Sequence, residues 1–189
     1  MRTFVAINLP AEVREAIYDD TAHLRAATDA VRWVAAASLH ATLKFIGELS
    51  DVAVDDVRRA LEGVASAHAP VSVATTQLGA FPNFRRPRVV WVGMTGEAEL
   101  RALARDVDAS LAPLGVARDA RPFQAHLTLG RVKGDLSPAN ATGLSDAAAV
   151  APPRRTFVVR TIDLMKSELG RGGSRYSVLA AVPLHARGT

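Results

Sequence analysis

The chain has 189 residues, is 49% hydrophobic and 22% charged, contains no cysteine and carries a formal net charge of +4. That size suits one domain or two small lobes sharing a core, and the missing cysteines exclude disulfides, thiolate nucleophiles and cysteine-held zinc. No apolar run reaches the ~20 residues of a membrane span, and the apolar stretch at the start is too short for a signal peptide, so a cytoplasmic protein with no membrane association and an anionic partner is expected.

Thr3 to Leu9 is β-rich and weakly alternating, which predicts a strand. Pro10 then opens a helix over about 11–28, with Glu12 in its first turn and Val13, Ile17 and Leu24 as its apolar stripe. Residues 39–46 form a second strand that ends at Gly47. Ser50 or Asp51 caps a helix to about 67, with Val54, Val57, Leu61 and Val64 on one side. A strand at 71–78 leads into an aromatic, basic loop, Phe81 to Pro87. Arg88 to Met94 is a strand, and Glu97 to about 113 is a helix with Leu100, Leu103, Val107 and Leu111 inward. A strand at 125–132 follows. Segment 134–153, rich in Gly, Pro, Ser and Ala, reads mostly as loop with room for a short helix. Strands at about 156–164 and 176–183 close the chain around the glycine-rich turn 170–175.

His-x-Thr-Leu occurs twice, as His40-Ala41-Thr42-Leu43 and His126-Leu127-Thr128-Leu129. The copies lie 86 residues apart (126 − 40), and the same offset lays Arg2 on Arg88, Val71 on Phe157, Thr75 on Thr161 and Leu78 on Leu164. Strand, helix, His-bearing strand and further strand recur in order. The expected fold is therefore α+β: a single domain over 1–189, built from two intertwined lobes of a duplicated unit, with antiparallel sheets around a central cleft on a pseudo-two-fold axis. Such an axis could bring the two histidines face to face.

Alternation along a strand puts His40 and Thr42 on one face and Ala41 and Leu43 on the other. The same holds for His126 and Thr128 against Leu127 and Leu129. Each motif thus has a polar face for a groove and a leucine face for a core. Two imidazoles can divide acid and base work near neutral pH, one taking a proton from water and the other giving one to a leaving oxygen. The threonine hydroxyls can donate to phosphate oxygens, whose charge must be held in the transition state. By alternation Lys44 joins Thr42 on the cleft face, while Arg131 reaches the cleft only if its strand ends or bulges. The other histidines, His23, His68 and His185, lack a threonine two residues on. A metal held by His40 and His126 is a weaker reading, because zinc usually needs three or four protein ligands. No metal or other cofactor is expected.

These residues resemble the 2H phosphoesterase superfamily, named for two His-x-Thr/Ser-x motifs. Within it they resemble the RNA 2′,3′-cyclic phosphodiesterases, also called 2′–5′ RNA ligase-like proteins. The matching stretches span nearly the whole chain: 2–7, 40–47, 88–93, 123–131, and Leu164 to Leu169 on to Tyr176. The resemblance implies hydrolysis of a 2′,3′-cyclic phosphate at an RNA end to a 2′-phosphomonoester. It makes His126 the general base for water and His40 the general acid for the 3′-oxygen, with Thr42 and Thr128 holding the phosphate. It also implies reversible 2′–5′ joining of tRNA halves. Ala125 stands where the family pattern often has proline.

Arg85, Arg86 and Arg88 form one basic cluster, and Arg171 and Arg175 flank the glycine-rich turn. Arg85, Arg171 and Tyr176, with Lys44 and Arg131, are the candidate substrate-binding residues. Phe84, Phe123 or Tyr176 could stack on a base. Two other readings stay open: a phosphodiesterase acting on small cyclic nucleotides or 2′–5′ oligonucleotides, and an RNA-binding module without chemistry. A monomer is expected.

Overall fold

The structure is a computed structural model and describes residues 1–170 and 173–185. The strands among them are β1 (Arg2–Asn8), β2 (Val31–Trp33), β3 (His40–Glu48), β4 (Val71–Phe81), β5 (Val89–Met94), β6 (His126–Val132), β7 (Thr156–Val159), β8 (Thr161–Gly170) and β9 (Gly173–Pro183). The helices are α1 (Ala11–Asp20), α2 (Ala22–Ala27), α3 (Val54–Ala65), α4 (Glu97–Leu111) and α5 (Pro138–Ala148).

Two antiparallel sheets organise the α+β fold, one in the order β3-β1-β8-β9 and the other in the order β2-β6-β5-β4-β7. The 86-residue offset maps β1 onto β5 and β3 onto β6, and each pair is antiparallel. The next strands are exchanged between halves. β4 leaves β1 and β3 to pair with β5, while β8 comes back to pair with β1. Each sheet therefore contains strands from both halves of the chain.

Strand alternation and helical spacing converge on one core. Val57, Leu61 and Val64 of α3, and Leu100, Leu103, Val107 and Leu111 of α4, are buried. They recur at intervals of three and four, the period that lines one helix face. The two helices pack together, with α3 also against β8 and β9 and α4 against β3. Val5, Ile7, Ala41, Leu43, Leu127 and Leu129 complete the strand side of this core. A fully buried leucine contributes roughly 1.5–3 kcal/mol, so the two motif strands are anchored by their leucine faces. Among the described residues no helix is long and apolar enough to cross a membrane.

The structure departs from the sequence expectation in five places. The helix expected over 11–28 breaks at Thr21, whose hydroxyl donates to the Ile17 and Tyr18 carbonyls and competes with the helical ladder. The segment 134–153 contains α5, which Ser137 caps by accepting from Asn140 N at 3.2 Å, with Pro138 in the first turn. The strand expected at 156–164 divides at Arg160: β7 pairs with β4, and β8 crosses into the other sheet. β8 and β9 run on through 170 and from 173, closer to the hairpin tip than the strand ends expected. The three-residue β2, too short for any periodicity, covers the edge of β6.

Candidate active site

The two motif strands carry the same irregularity. On β3, Thr42 pairs with Ala6 and Lys44 with Val5, so Leu43 is an extra residue. On β6, Thr128 pairs with Trp91 and Gly130 with Val90, so Leu129 is an extra residue at the equivalent position. A one-residue bulge reverses the facing of everything after it. Arg131 is thereby turned into the cleft. Lys44, expected beside Thr42, is turned away from the cavity that Thr42 shares with His40 and only borders the His126 space. Its Nζ bonds Asp108 Oδ1 at 2.6 Å, Asp119 Oδ1 at 2.9 Å and the Ala117 carbonyl at 2.6 Å, and the residue is 2% exposed. Lys44 is thus no phosphate ligand but the centre of a buried ion cluster. Phe45, the next residue, is 63% exposed at the cleft.

Both imidazoles are clamped alike. The His40 Nδ1 lies 2.8 Å from the Ser38 carbonyl, and the His126 Nδ1 lies 2.8 Å from the Gln124 carbonyl. A carbonyl oxygen only accepts, so Nδ1 carries a proton in both rings. Each Nε2 then holds a lone pair when its ring is neutral and an N–H when it is charged. His40 packs against Phe4 and edge-on against Tyr176, each at 5.0 Å. His126 packs edge-on against Phe81 at 5.0 Å. Burial pushes both imidazoles below the ordinary histidine range, and the positive charge of Arg131 pushes the same way on each. The backbone carbonyl opposes the shift in both, and Glu97 opposes it at His126 alone.

His40, Thr42, Thr128 and Arg131 line one cavity of about 460 Å³. Tyr176, Phe45, Arg2 and Ser38 complete its walls. His126 faces an adjoining space of about 960 Å³ with Phe81, Pro82, Phe123, Arg88 and Arg121. Thr42 and Phe45 line both, so the two spaces meet at the first motif. Strands β3 and β6 are in contact across this junction. Thr42 and Thr128 are half-buried, and among the described residues no protein group engages either hydroxyl. Arg131 is exposed, with no carboxylate partner among the described residues. Two hydroxyls, a free guanidinium and an imidazole thus converge on one water-accessible space, a composition suited to a phosphate group. Among the described residues no three His, Cys, Asp or Glu side chains are grouped to hold a metal ion.

The other candidates divide. Tyr176 lies in the His40 cavity. Arg85 is exposed on the loop after β4, where Asn83 holds its backbone N–H, and it lines neither cavity. Arg171 lies outside the described residues. Phe123 lines the His126 space, whereas Phe84 packs on the core. Residues missed from sequence are Arg2, Phe45, Phe81 and the clamping carbonyls of Ser38 and Gln124. Arg2 and Arg88 occupy equivalent positions at the 86-residue offset and flank the two spaces, a relation the repeat already contained.

Known proteins bear on this geometry. A family model described as the 2′-5′ RNA ligase superfamily matches residues 11–171, an interval that holds both motifs. An Archaeoglobus fulgidus protein named RNA 2′,3′-cyclic phosphodiesterase is 38% identical over 133 residues, which are 70% of this chain and 73% of that protein. A crystal structure from Thermus thermophilus superposes with a TM-score of 0.79 at 29% identity, covering 100% of both chains. E. coli LigT complexed with 3′-AMP superposes with a TM-score of 0.72 at 31% identity, covering 98% of both. Because the family model spans both His-x-Thr strands and the relatives match over most of the chain, the chain belongs to the 2′-5′ RNA ligase superfamily.

Proposed function

We propose that the chain hydrolyses 2′,3′-cyclic phosphate ends of RNA to 2′-phosphomonoesters, using two histidines and no metal. One observation carries this reading: His40, Thr42, Thr128 and Arg131, drawn from two motifs 86 residues apart, line a single cavity beside His126. The names of the relatives support the substrate class. His126 Nε2 takes a proton from water as the water oxygen bonds to phosphorus. The bond from phosphorus to O3′ breaks, and His40 Nε2–H gives its proton to O3′. The hydroxyls of Thr42 and Thr128 donate to the non-bridging oxygens, and Arg131 offsets their charge. Burial and Arg131 leave His126 neutral and ready in the free enzyme. The anionic substrate favours protonation of His40, countering its burial.

The test is incubation with a 2′,3′-cyclic oligonucleotide in EDTA, with identification of the product ester. A 2′-phosphate at undiminished rate is expected. Abolition by EDTA and rescue by zinc would sink the metal-free mechanism, and binding without turnover would leave only an RNA-binding module. Turnover of cyclic mononucleotides with none on oligomers would move the substrate to small nucleotides. Arg131→Gln is expected to raise KM about tenfold, the worth of one charged hydrogen bond. It should also move the titration midpoints of both imidazoles upward by NMR, short of the ordinary value because burial remains.

A second reading is joining of RNA ends through a 2′–5′ linkage, tRNA halves included, with a ribose hydroxyl replacing water. The 960 Å³ space beside His126 supports it, since the attacking group enters on that side and a nucleoside fits there. We further propose that the protein acts as a monomer in the cytoplasm, where RNA ends are available.

A further inference from the structure

We propose that Glu97 is a positioning residue for His126: its carboxylate holds the backbone entering that histidine and sets a negative charge beside that ring and not beside His40. The inference rests on the two-histidine reading, and its starting point is a break in the molecule's internal symmetry. Ser38 and Gln124, equivalent at the 86-residue offset, clamp the two rings through identical 2.8 Å contacts. The residues between clamp and ring, Leu39 and Ala125, are equivalent too, but their N–H groups go to different partners. Leu39 N donates to the Ala36 carbonyl at 3.1 Å, a neutral acceptor inside a 3-10 turn. Ala125 N donates to Glu97 Oε2 at 3.3 Å. The counterpart of Glu97 in the first half is Ala11, so His40 has no such carboxylate.

The Glu97 carboxylate is fixed from both ends. Its Oε1 accepts from Arg101 at 2.7 Å, one turn along α4. The preceding residue, Gly96, has a φ of 75°, and a Cβ there would lie 3.1 Å from Val73 Cγ1 and 3.2 Å from Val71 Cγ1. Glycine lets α4 start close against β4 in a backbone conformation other residues resist. Glu97, Arg101, Trp91 and His126 then line one cavity of about 340 Å³, which Arg131 does not line.

The charges around His126 single out Glu97. On its own strand there is Arg131. On α4 there are Glu97 and Arg101. Around the larger space lie Arg88 and Arg121, Lys44 on β3, and Asp119 on the loop before β6. Asp119 is bound to Lys44 at 2.9 Å and Glu97 to Arg101 at 2.7 Å, so each charge is partly offset, but only Glu97 also bonds the backbone entering the ring. Arg131 acts on both histidines and distinguishes neither. Glu97 alone raises one of them. A base that is already neutral gains from basicity, so the Glu97 charge suits His126 to take a proton.

The test is an NMR titration of the imidazole Cε1–H signals in the full-length free enzyme, comparing the wild type with Glu97→Gln. Glutamine keeps one oxygen acceptor for Ala125 N, removes the charge and gives up the exposed pairing with Arg101. The His126 midpoint is expected to move down while that of His40 stays, with an unchanged melting temperature and a kcat/KM lowered roughly three- to tenfold. Glu97→Ala, which also frees Ala125 N, should fall further in kcat. A stationary His126, equal movement of both rings, or a shifted His126 with unaltered kcat/KM would each overturn the proposal. The titration needs no substrate. A wild-type enzyme inert on cyclic phosphates would therefore refute the functional reading separately from the charge placement.

Discussion

Alanine at His40 or at His126 is expected to lower kcat by ~10²–10⁴-fold, the contribution of one positioned acid or base. That range is about 2.7–5.4 kcal/mol of barrier. Each ring serves a different proton, so neither can cover for the other. Without His126 the attacking water keeps its proton until the phosphorus bond is largely made. Without His40 the 3′-oxygen leaves as an alkoxide. The double variant should be little worse than the worse single one, because both groups act in one transition state. Folding should survive. The rings are half-buried, and each loses one carbonyl contact and its aromatic neighbours, Phe4 and Tyr176 for His40 and Phe81 and Trp91 for His126. An aromatic pair is worth about 0.5–1.5 kcal/mol, so melting temperatures should fall only slightly. Single-turnover rates on a 2′,3′-cyclic oligonucleotide, with melting curves alongside, provide the check. Near-normal turnover in either single variant would end the two-histidine mechanism.

Much of this site could be read from the repeat. The motif faces follow from alternation: Ala41, Leu43, Leu127 and Leu129 are buried, while His40, Thr42, His126 and Thr128 are half-buried and border the cleft. Alternation fails one residue later, at Leu43 and Leu129, because a bulge is a tertiary decision. On β6 the close approach of β2 helps fix it: a Cβ on Gly130 would lie 2.5 Å from Val31 Cγ1 and 2.8 Å from the Trp33 ring. Nothing within residues 126–132 announces β2. The same limit hid the division of β7 from β8 at Arg160, where a continuous apolar run changes sheets. α5 is legible inside its loop-like segment, since Ser137-Pro138 is a helix-start pair in its own right. Glu97 was visible only as an acid at a helix start. Its bond to Ala125 joins residues 28 apart and depends on how α4 is set against α3 and β3.

Lys44 carries the second large expectation, and it concerns stability first. Lys44→Met should destabilise the fold by about 3 kcal/mol, the low end for breaking a buried ion pair by removing one partner. The low end applies because Asp108 keeps Arg118 Nε at 2.5 Å and the Asp119 N–H at 3.1 Å. For a chain of this size that is roughly a 6–12 °C fall in melting temperature. Burial opposes both charges, but their mutual bonds outweigh it: Lys44 is held above the usual lysine range, and Asp108 below the usual carboxylate range. Asp108 therefore stabilises the fold above its unfolded pKa of ~3.9 and ceases to as pH falls through its folded value. Lys44 stabilises it below its unfolded pKa of ~10.4 and ceases to as pH rises through its folded value. The gap between wild type and Lys44→Met should be widest between those limits and close at acid pH. Pairing Lys44→Met with Asp108→Leu should recover much of the stability, since apolar replacement of a whole buried pair is often neutral or better. It should not restore catalysis fully. Lys44 and Asp108 also tie down Ala117 and Asp119, on the loop whose later residues Phe123 and Gln124 wall the His126 space and clamp its ring. A double variant as stable as the wild type but several-fold lower in kcat/KM separates these two roles. Equal stability with full activity would reduce the cluster to a core device.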